Sequence, residues 1–254
     1  IFAFLAVTSV NAQKCGTYDG AYEEQEQKFP AFYQNLEAIN SDLEADYKSA
    51  LGKMTHLKIE NGKKIIPVVV HVIHTGQNVG VGANISTAQI NGAIEAINDR
   101  YRKTPNTHGD AAGVDTEIQF ILAKRDPDCN ATTGIVRVNG SSVTDYSNEG
   151  ITAGQGSGAD ELEVKALSRW PATDYVNVWV VTEIENNNGG FGLQGYANFF
   201  SGGAYEGSMM MYNVFGYDPT NQQPAFSLKG ARDNSTVVHE FGHYLHLHHT
   251  FKGD

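Results

Sequence analysis

Hydrophobic positions along this chain change period several times, and each change predicts an element. Residues 65–73, Ile65-Ile66-Pro67-Val68-Val69-Val70-His71-Val72-Ile73, are β-branched and almost continuously apolar, as in a strand buried on both faces. Ser86 and Gln89 stand ahead of Ile90, Ile94, Ile97 and Tyr101, whose spacings of three and four share one face; this predicts a capping box opening a helix of about four turns. Ile118, Phe120 and Leu122 alternate with Glu117, Gln119 and Ile121 in a strand, and the Val-rich run 175–184, with Trp179, reads as a central one. From 186 to 203 the composition turns to Gly and Asn, around a short run at 195–200 that fits an edge strand; 209–215 reads as a further strand. That Gly-rich stretch either borders a cleft or is plain surface loop, and it lacks the strand-to-helix pattern of a phosphate loop. Upstream, Phe29, Phe32, Leu36, Ile39, Leu43 and Leu51 recur at roughly helical spacing, predicting one or two helices over 18–53. The polar link Glu60-Asn61-Gly62-Lys63-Lys64 separates that part from the strands as an exposed boundary.

Composition narrows the setting. The 254 residues, 41% hydrophobic and 19% charged, suffice for one ordinary core with a smaller appendage. A net charge of -11 argues against a nucleic-acid groove or an anionic membrane surface as partner. Residues 1–12 are apolar and end in Val10-Asn11-Ala12, the small-residue pattern of a signal-peptidase site; the run is too short to cross a bilayer, so no integral membrane association is expected. The alternative is an ordinary buried first strand. A signal peptide would make the protein secreted. The 2 cysteines, Cys15 and Cys129, are too few for a disulfide framework, so stability must come from the core.

Five of the 9 histidines fall in one segment, His239-Glu240-Phe241-Gly242-His243-Tyr244-Leu245-His246-Leu247-His248-His249. Asp233, Asn234 and Ser235 offer helix N-caps, and Val237, Phe241 and Leu245 recur every four residues, so the segment begins as a helix. His239 and His243 are then one turn apart and can share a tetrahedral ion, for which zinc is the expected metal. Glu240 points near that ion without binding it and can serve as the general base that takes a proton from zinc-bound water attacking a carbonyl. For the third ligand, His246 would lie a further turn along a continuing helix, too far from the ion. If the helix stops near Leu245 and the chain turns back, His249, six residues after His243, reaches the metal from another direction. The pattern His-Glu-x-x-His-x-x-Gly-x-x-His is matched at all three histidines and the glutamate, but His246 stands where Gly usually makes the turn. A left-handed backbone there costs an L-residue roughly 1–2 kcal/mol. His71 and His74 read as strand residues, His56 and His108 as members of polar stretches, and His246 and His248 as turn and surface.

The zinc segment with its exit, His249-Thr250-Phe251-Lys252-Gly253-Asp254, resembles the pappalysin (cytophagalysin) branch of the metzincin metallopeptidases. The strand at 66–73, the helix entered through Asn84-Ile85-Ser86, and Trp170-Pro171 leading into Tyr175-Val176-Asn177-Val178-Trp179 extend the likeness from about residue 65 to the end. The resemblance implies an α+β fold, with a mixed twisted sheet of about five strands, a backing helix, and the active-site helix flooring a horizontal cleft. It implies endopeptidase action on proteins or peptides, with Gly195, Tyr196, Ala197 and Asn198 in the edge strand that pairs with an extended substrate. It implies a propeptide at 13–62 and a catalytic domain at 63–254. The family's lower subdomain, with its methionine turn, specificity-pocket wall and frequent Ca2+ sites, follows the third histidine; a chain ending at Asp254 lacks it and is expected to bind zinc weakly. Lys14-Cys15-Gly16-Thr17 resembles a cysteine switch, in which the Cys15 thiolate occupies the fourth zinc position; a disulfide with Cys129 or with a cysteine beyond Asp254 is the alternative. Two other functions compete with the peptidase: a catalytically silent zinc-fold binding or adhesion module, which would have no need of Glu240, and a zinc hydrolase of another class whose last ligand lies beyond Asp254.

Overall fold

The structure, a computed structural model, describes residues 58–249 apart from 155, 188, 190–191, 199–202, 224 and 230–231; of 58–60 it describes the backbone. Cys15 and the helices expected over 18–53 lie outside the described residues. In chain order the elements are β1 (Lys58–Glu60), β2 (Lys63–His74), α1 (Thr87–Tyr101), β3 (Ile118–Leu122), β4 (Ile135–Asn139), α2 (Tyr146–Glu149), α3 (Glu161–Ala166), β5 (Val176–Val181), β6 (Gly195–Asn198), β7 (Gly207–Met211) and α4 (Ser235–Tyr244).

The long apolar strand β2 is the spine of a seven-stranded mixed sheet. β3 and β4 run parallel to it, one after the other, on the same margin: Ala123 N donates to Val68 O at 2.8 Å and Val70 N to Gly134 O at 2.9 Å. On its other margin lies β5, then β7, both parallel, and the antiparallel β6 closes the sheet. The sheet is therefore five rows wide, the α+β arrangement expected. Its mostly parallel order explains why β2 and β5 are rich in Val: β5 is buried at every position and β2 from Val68 to Ile73.

Four boundaries differ from the sequence reading. The link at 60–64 is a hairpin turn, with Asn61 and Gly62 at φ 52 and 76, and it pairs β1 antiparallel to β2; Asn-Gly is the pair that tolerates two left-handed residues. β4, Ile135-Val136-Arg137-Val138-Asn139, is a strand that the sequence reading does not include. β5 stops at Val181, and β7 begins at Gly207, two residues early, and ends at Met211.

Register sorts the sheet into two faces. Val68, Val70 and Val72 pair with Val176, Val178 and Val180, on the same side as Phe120, which meets Tyr101 of α1 and Phe241 of α4 edge-on at 5.2 and 4.9 Å. That face carries both long helices. On the other face His71, Trp179, Met209 and Tyr196 form a row across four strands, covered by Tyr146 of α2 and Lys165 of α3. Ser86 caps α1 as expected, accepting from Gln89 N at 3.1 Å. The Gln89 side chain does not complete the box; it donates to the Tyr212 and Phe215 carbonyls and accepts from Ser227 N, tying α1 to the segment that leads into α4.

Candidate metal centre

α4 is held against α1 and the sheet before its histidines come into play. Val237 and Phe241 are 0% exposed and Tyr244 4%, and burying each large apolar side chain contributes about 1.5–3 kcal/mol. The helix starts at Asn234, but not through the N-cap bond its sequence suggested. Asn234 has a left-handed backbone, φ 61, and its side chain is spent elsewhere, donating to Ala93 O of α1 and accepting from Gly216 N. Arg100 at the end of α1 donates to Asp233 O at 2.7 Å. These bonds fix both the position and the rotation of α4, leaving the flank of His239 and His243 outside the core.

The helix ends after Tyr244 in a left-handed turn. His246 has φ 67; its N–H donates to His243 O at 2.8 Å and Leu247 N–H to Gly242 O at 3.0 Å, the paired bonds of a Schellman motif. The position read as a Gly-type turn is one, with histidine in the left-handed seat. Reversal there carries His249 back to the helix. The Nε2 atoms of His239, His243 and His249 converge, 2.9 Å between the first two, 3.3 Å between the first and last, and 3.1 Å between the second and last. Four nitrogens arranged tetrahedrally at metal–N distances of about 2.0–2.1 Å would be about 3.3–3.4 Å apart, so the triad fits a zinc ion within a few tenths of an ångström. Among the described residues it is the group of His, Cys, Asp and Glu placed to hold a metal.

The protonation pattern agrees with a metal. His243 donates Nδ1–H to Leu247 O at 2.7 Å, which leaves its Nε2 lone pair aimed at the other two rings. Burial, with the neighbouring histidines, lowers the His243 pKa to about 4 against the opposing Leu247 bond, and burial and His249 lower that of His239. Three Nε2 atoms 2.9–3.3 Å apart are placed to share one cation. The turn thus does two jobs: it returns His249 and presents the Leu247 carbonyl that sets the His243 tautomer.

Glu240 is 0% exposed. Helical geometry places it and Val238 on opposite flanks of the histidine face. Val238 lines a cavity of about 520 Å³ with the three histidines, Tyr101 and Leu247. Glu240 instead shares its flank with Thr236, whose hydroxyl donates to Gln194, the residue before β6. The side of the triad on which Glu240 lies is therefore the side towards β6. That strand is the last row of the sheet, and Tyr196, Ala197 and Asn198 in it are only 6%, 3% and 8% exposed. Among the described residues His71 lies in the core, His74 at the end of β2, and His108 and His248 are exposed; His56 lies outside the described residues. Among the described residues Cys129 is an exposed cysteine in no disulfide. Several residues that shape the centre were not read from sequence, among them Leu247, Thr236, Gln194 and the buried pair Lys165–Glu161; in each case the decisive partner is a backbone group or lies far along the chain.

A twisted five-row sheet, a backing helix and a His-Glu-x-x-His helix with a third histidine after a tight turn define a metzincin-type metallopeptidase fold. The chain belongs to the pappalysin family of metallopeptidases. The family model described as pregnancy-associated plasma protein-A (Peptidase M43) matches residues 159–254. Mature mirolysin of Tannerella forsythia, in complex with a cleaved peptide, is 30% identical, covering 77% of this chain and 67% of its own, with a TM-score of 0.53. Mirolysin in complex with a small compound is 30% identical over 75% of this chain and 66% of its own, with a TM-score of 0.53. A mutant of Tannerella forsythia promirolysin is 28% identical over 93% of this chain and 70% of its own, with a TM-score of 0.58. The chain thus spans about two thirds of the length of these solved relatives. No curated protein matches it. Among the described residues no helix is long and apolar enough to cross a membrane.

Proposed function

We propose that the protein is a secreted zinc-dependent endopeptidase in which His239, His243 and His249 hold the metal and Glu240 is the general base. The observation that carries this reading is the convergence of three Nε2 atoms at 2.9–3.3 Å beside a buried glutamate. Zinc, when bound, supplies a Lewis acid that polarises a peptide carbonyl and makes water nucleophilic near neutral pH. Glu240, on the flank towards β6, takes the proton from the attacking water and passes it to the leaving amine. Gly195 to Asn198 pair with an extended peptide and hold its scissile bond over the triad; a solved relative carries a cleaved peptide.

The pro-form relative covers 93% of this chain, mature mirolysin 77% and mirolysin with a bound compound 75%, which supports residues 13–62 as a propeptide ahead of a catalytic domain at 63–254. Residues 1–12 act as a signal peptide and Cys15 as the latency switch. The deciding measurement is zinc stoichiometry and peptide cleavage by the full-length protein, with Glu240→Gln beside it. One zinc per chain in both proteins, and cleavage by the parent alone, is expected. A Glu240→Gln variant that still cleaves would remove the mechanism.

A further inference from the structure

A buried ammonium is costly, and the Lys165 side chain is 0% exposed. Burial lowers its pKa, opposed by Glu161. An apolar chain would fill the same space beneath Trp179 at no electrostatic cost, so the charge calls for a reason. The contacts supply one. Lys165 is ion-paired with Glu161 one turn earlier on α3, donates to Tyr205 O at 2.5 Å, and lies 4.9 Å from the centre of the Trp179 ring. Glu161 accepts from Asn198 Nδ2, in the last residue of β6, at 3.0 Å, and Arg169 donates to Ala204 O at 2.9 Å.

These bonds hold the β6–β7 hairpin from the face that α3 covers. From the other face α4 holds it at both ends: Thr236 donates to Gln194 before β6, and Tyr244, next to His243, donates to Glu206 Oε1 at 2.8 Å. The hairpin is clamped between an ion pair and the histidine-bearing helix. The geometry points to Lys165 as a positioning residue that sets the height of β6 over the metal-bearing helix, and with it the affinity for an extended peptide, while touching neither metal nor substrate. This rests on β6 being the substrate-pairing strand.

The test is the charge-neutral double variant Lys165→Met/Glu161→Gln, made in the full-length protein both with Glu240 and in a Glu240→Gln background that leaves peptide uncut. Binding of an extended peptide should weaken about tenfold. Zinc affinity should not change, and amide exchange should quicken at 196–198 and 205–207 relative to β2 and α4. With Glu240 present, KM should rise while kcat holds. A folded, zinc-loaded variant that binds peptide as tightly as its parent overturns the inference, and so does a parallel loss of zinc. If the double variant does not fold, Asn198→Ala, which cuts the link from Glu161 to β6, must weaken peptide binding with zinc retained or the inference fails. A parent that cleaves nothing, alongside weakened peptide binding and a loosened β6 in the variant, would sink the peptidase reading and leave this one standing.

Discussion

Two kinds of buried histidine sit in this molecule under opposite rules. His71, 0% exposed, stacks on Trp179 at 5.0 Å and points Nε2 at Asn177 Oδ1, 2.8 Å away. Asn177 donates its Nδ2 to the Trp170 and Tyr175 carbonyls, so its Oδ1 is the acceptor and His71 carries the proton on Nε2. His243, 3% exposed, is turned the other way: Nδ1 carries the proton, bound to Leu247 O, and Nε2 is left to converge with two neighbours. Burial lowers both pKa values to about 4, so charge does not tell them apart. Tautomer does. At His243 the fold ties down Nδ1–H and leaves Nε2 facing two other histidines, whereas at His71 it ties down Nε2–H inside the packed core.

The largest effect should separate these sets by metal binding. His249→Ala or His243→Ala should lower zinc affinity by more than the ~10–100-fold that loss of a supporting outer partner costs, whereas His71→Gln should leave zinc content at the parent level. Competition with a chelator of known affinity measures all three. Full zinc retention by His249→Ala would place the third ligand elsewhere and revive the other class of zinc hydrolase.

Next in size is the acid effect of His71, isolated as a difference between parent and variant. Its folded pKa, about 4, lies below the ordinary 6.5 because burial disfavours the charged ring. On acidification the unfolded chain binds the proton first, so the stability His71 provides is complete above pH ~6.5 and lost as pH falls to about 4. The loss should reach about 3 kcal/mol near pH 4. Denaturant titrations of the zinc-free protein, taken as the difference between parent and His71→Gln, should slope across that window and flatten above it. A flat difference throughout would mean the ring is not held neutral by the fold.

How much of this was legible depended on whether the deciding partner was near in sequence. β2, β5 and α1 were readable because burial on both faces, or on one helical stripe, repeats within a few residues. The triad was readable because a four-residue and a six-residue step suffice to encode it, and even the left-handed turn at His246 followed from the helix having to stop. Lys165 was not. Glu161 and Lys165 at i and i+4 look like a solvated surface pair, and what buries them is Trp179 on β5 and the turn after β6. Nor was the tautomer of His243, which depends on a backbone carbonyl. β4 was passed over for another reason: five residues between turns carry little pattern of their own, and β4 is a strand because Val70 to His74 offers it a free margin.

The smallest expected effect concerns a third use of histidine, at a backbone turn. His246 occupies the left-handed seat of the Schellman turn at φ 67, a conformation that costs an L-residue roughly 1–2 kcal/mol. His246→Gly relieves that strain but adds unfolded-state freedom worth about 0.5–1 kcal/mol, so the net gain should be about 0.5–1 kcal/mol. It should appear as a raised urea midpoint with unchanged slope. Because the turn supplies the Leu247 carbonyl to His243, easing it should leave zinc affinity equal to the parent's or slightly higher. His248→Gly, two residues on and exposed, is the control and should gain nothing. If His246→Gly is instead less stable, the imidazole at 246 contributes contacts that outweigh its strained backbone, and the division between ring-driven and backbone-driven histidines fails at that position.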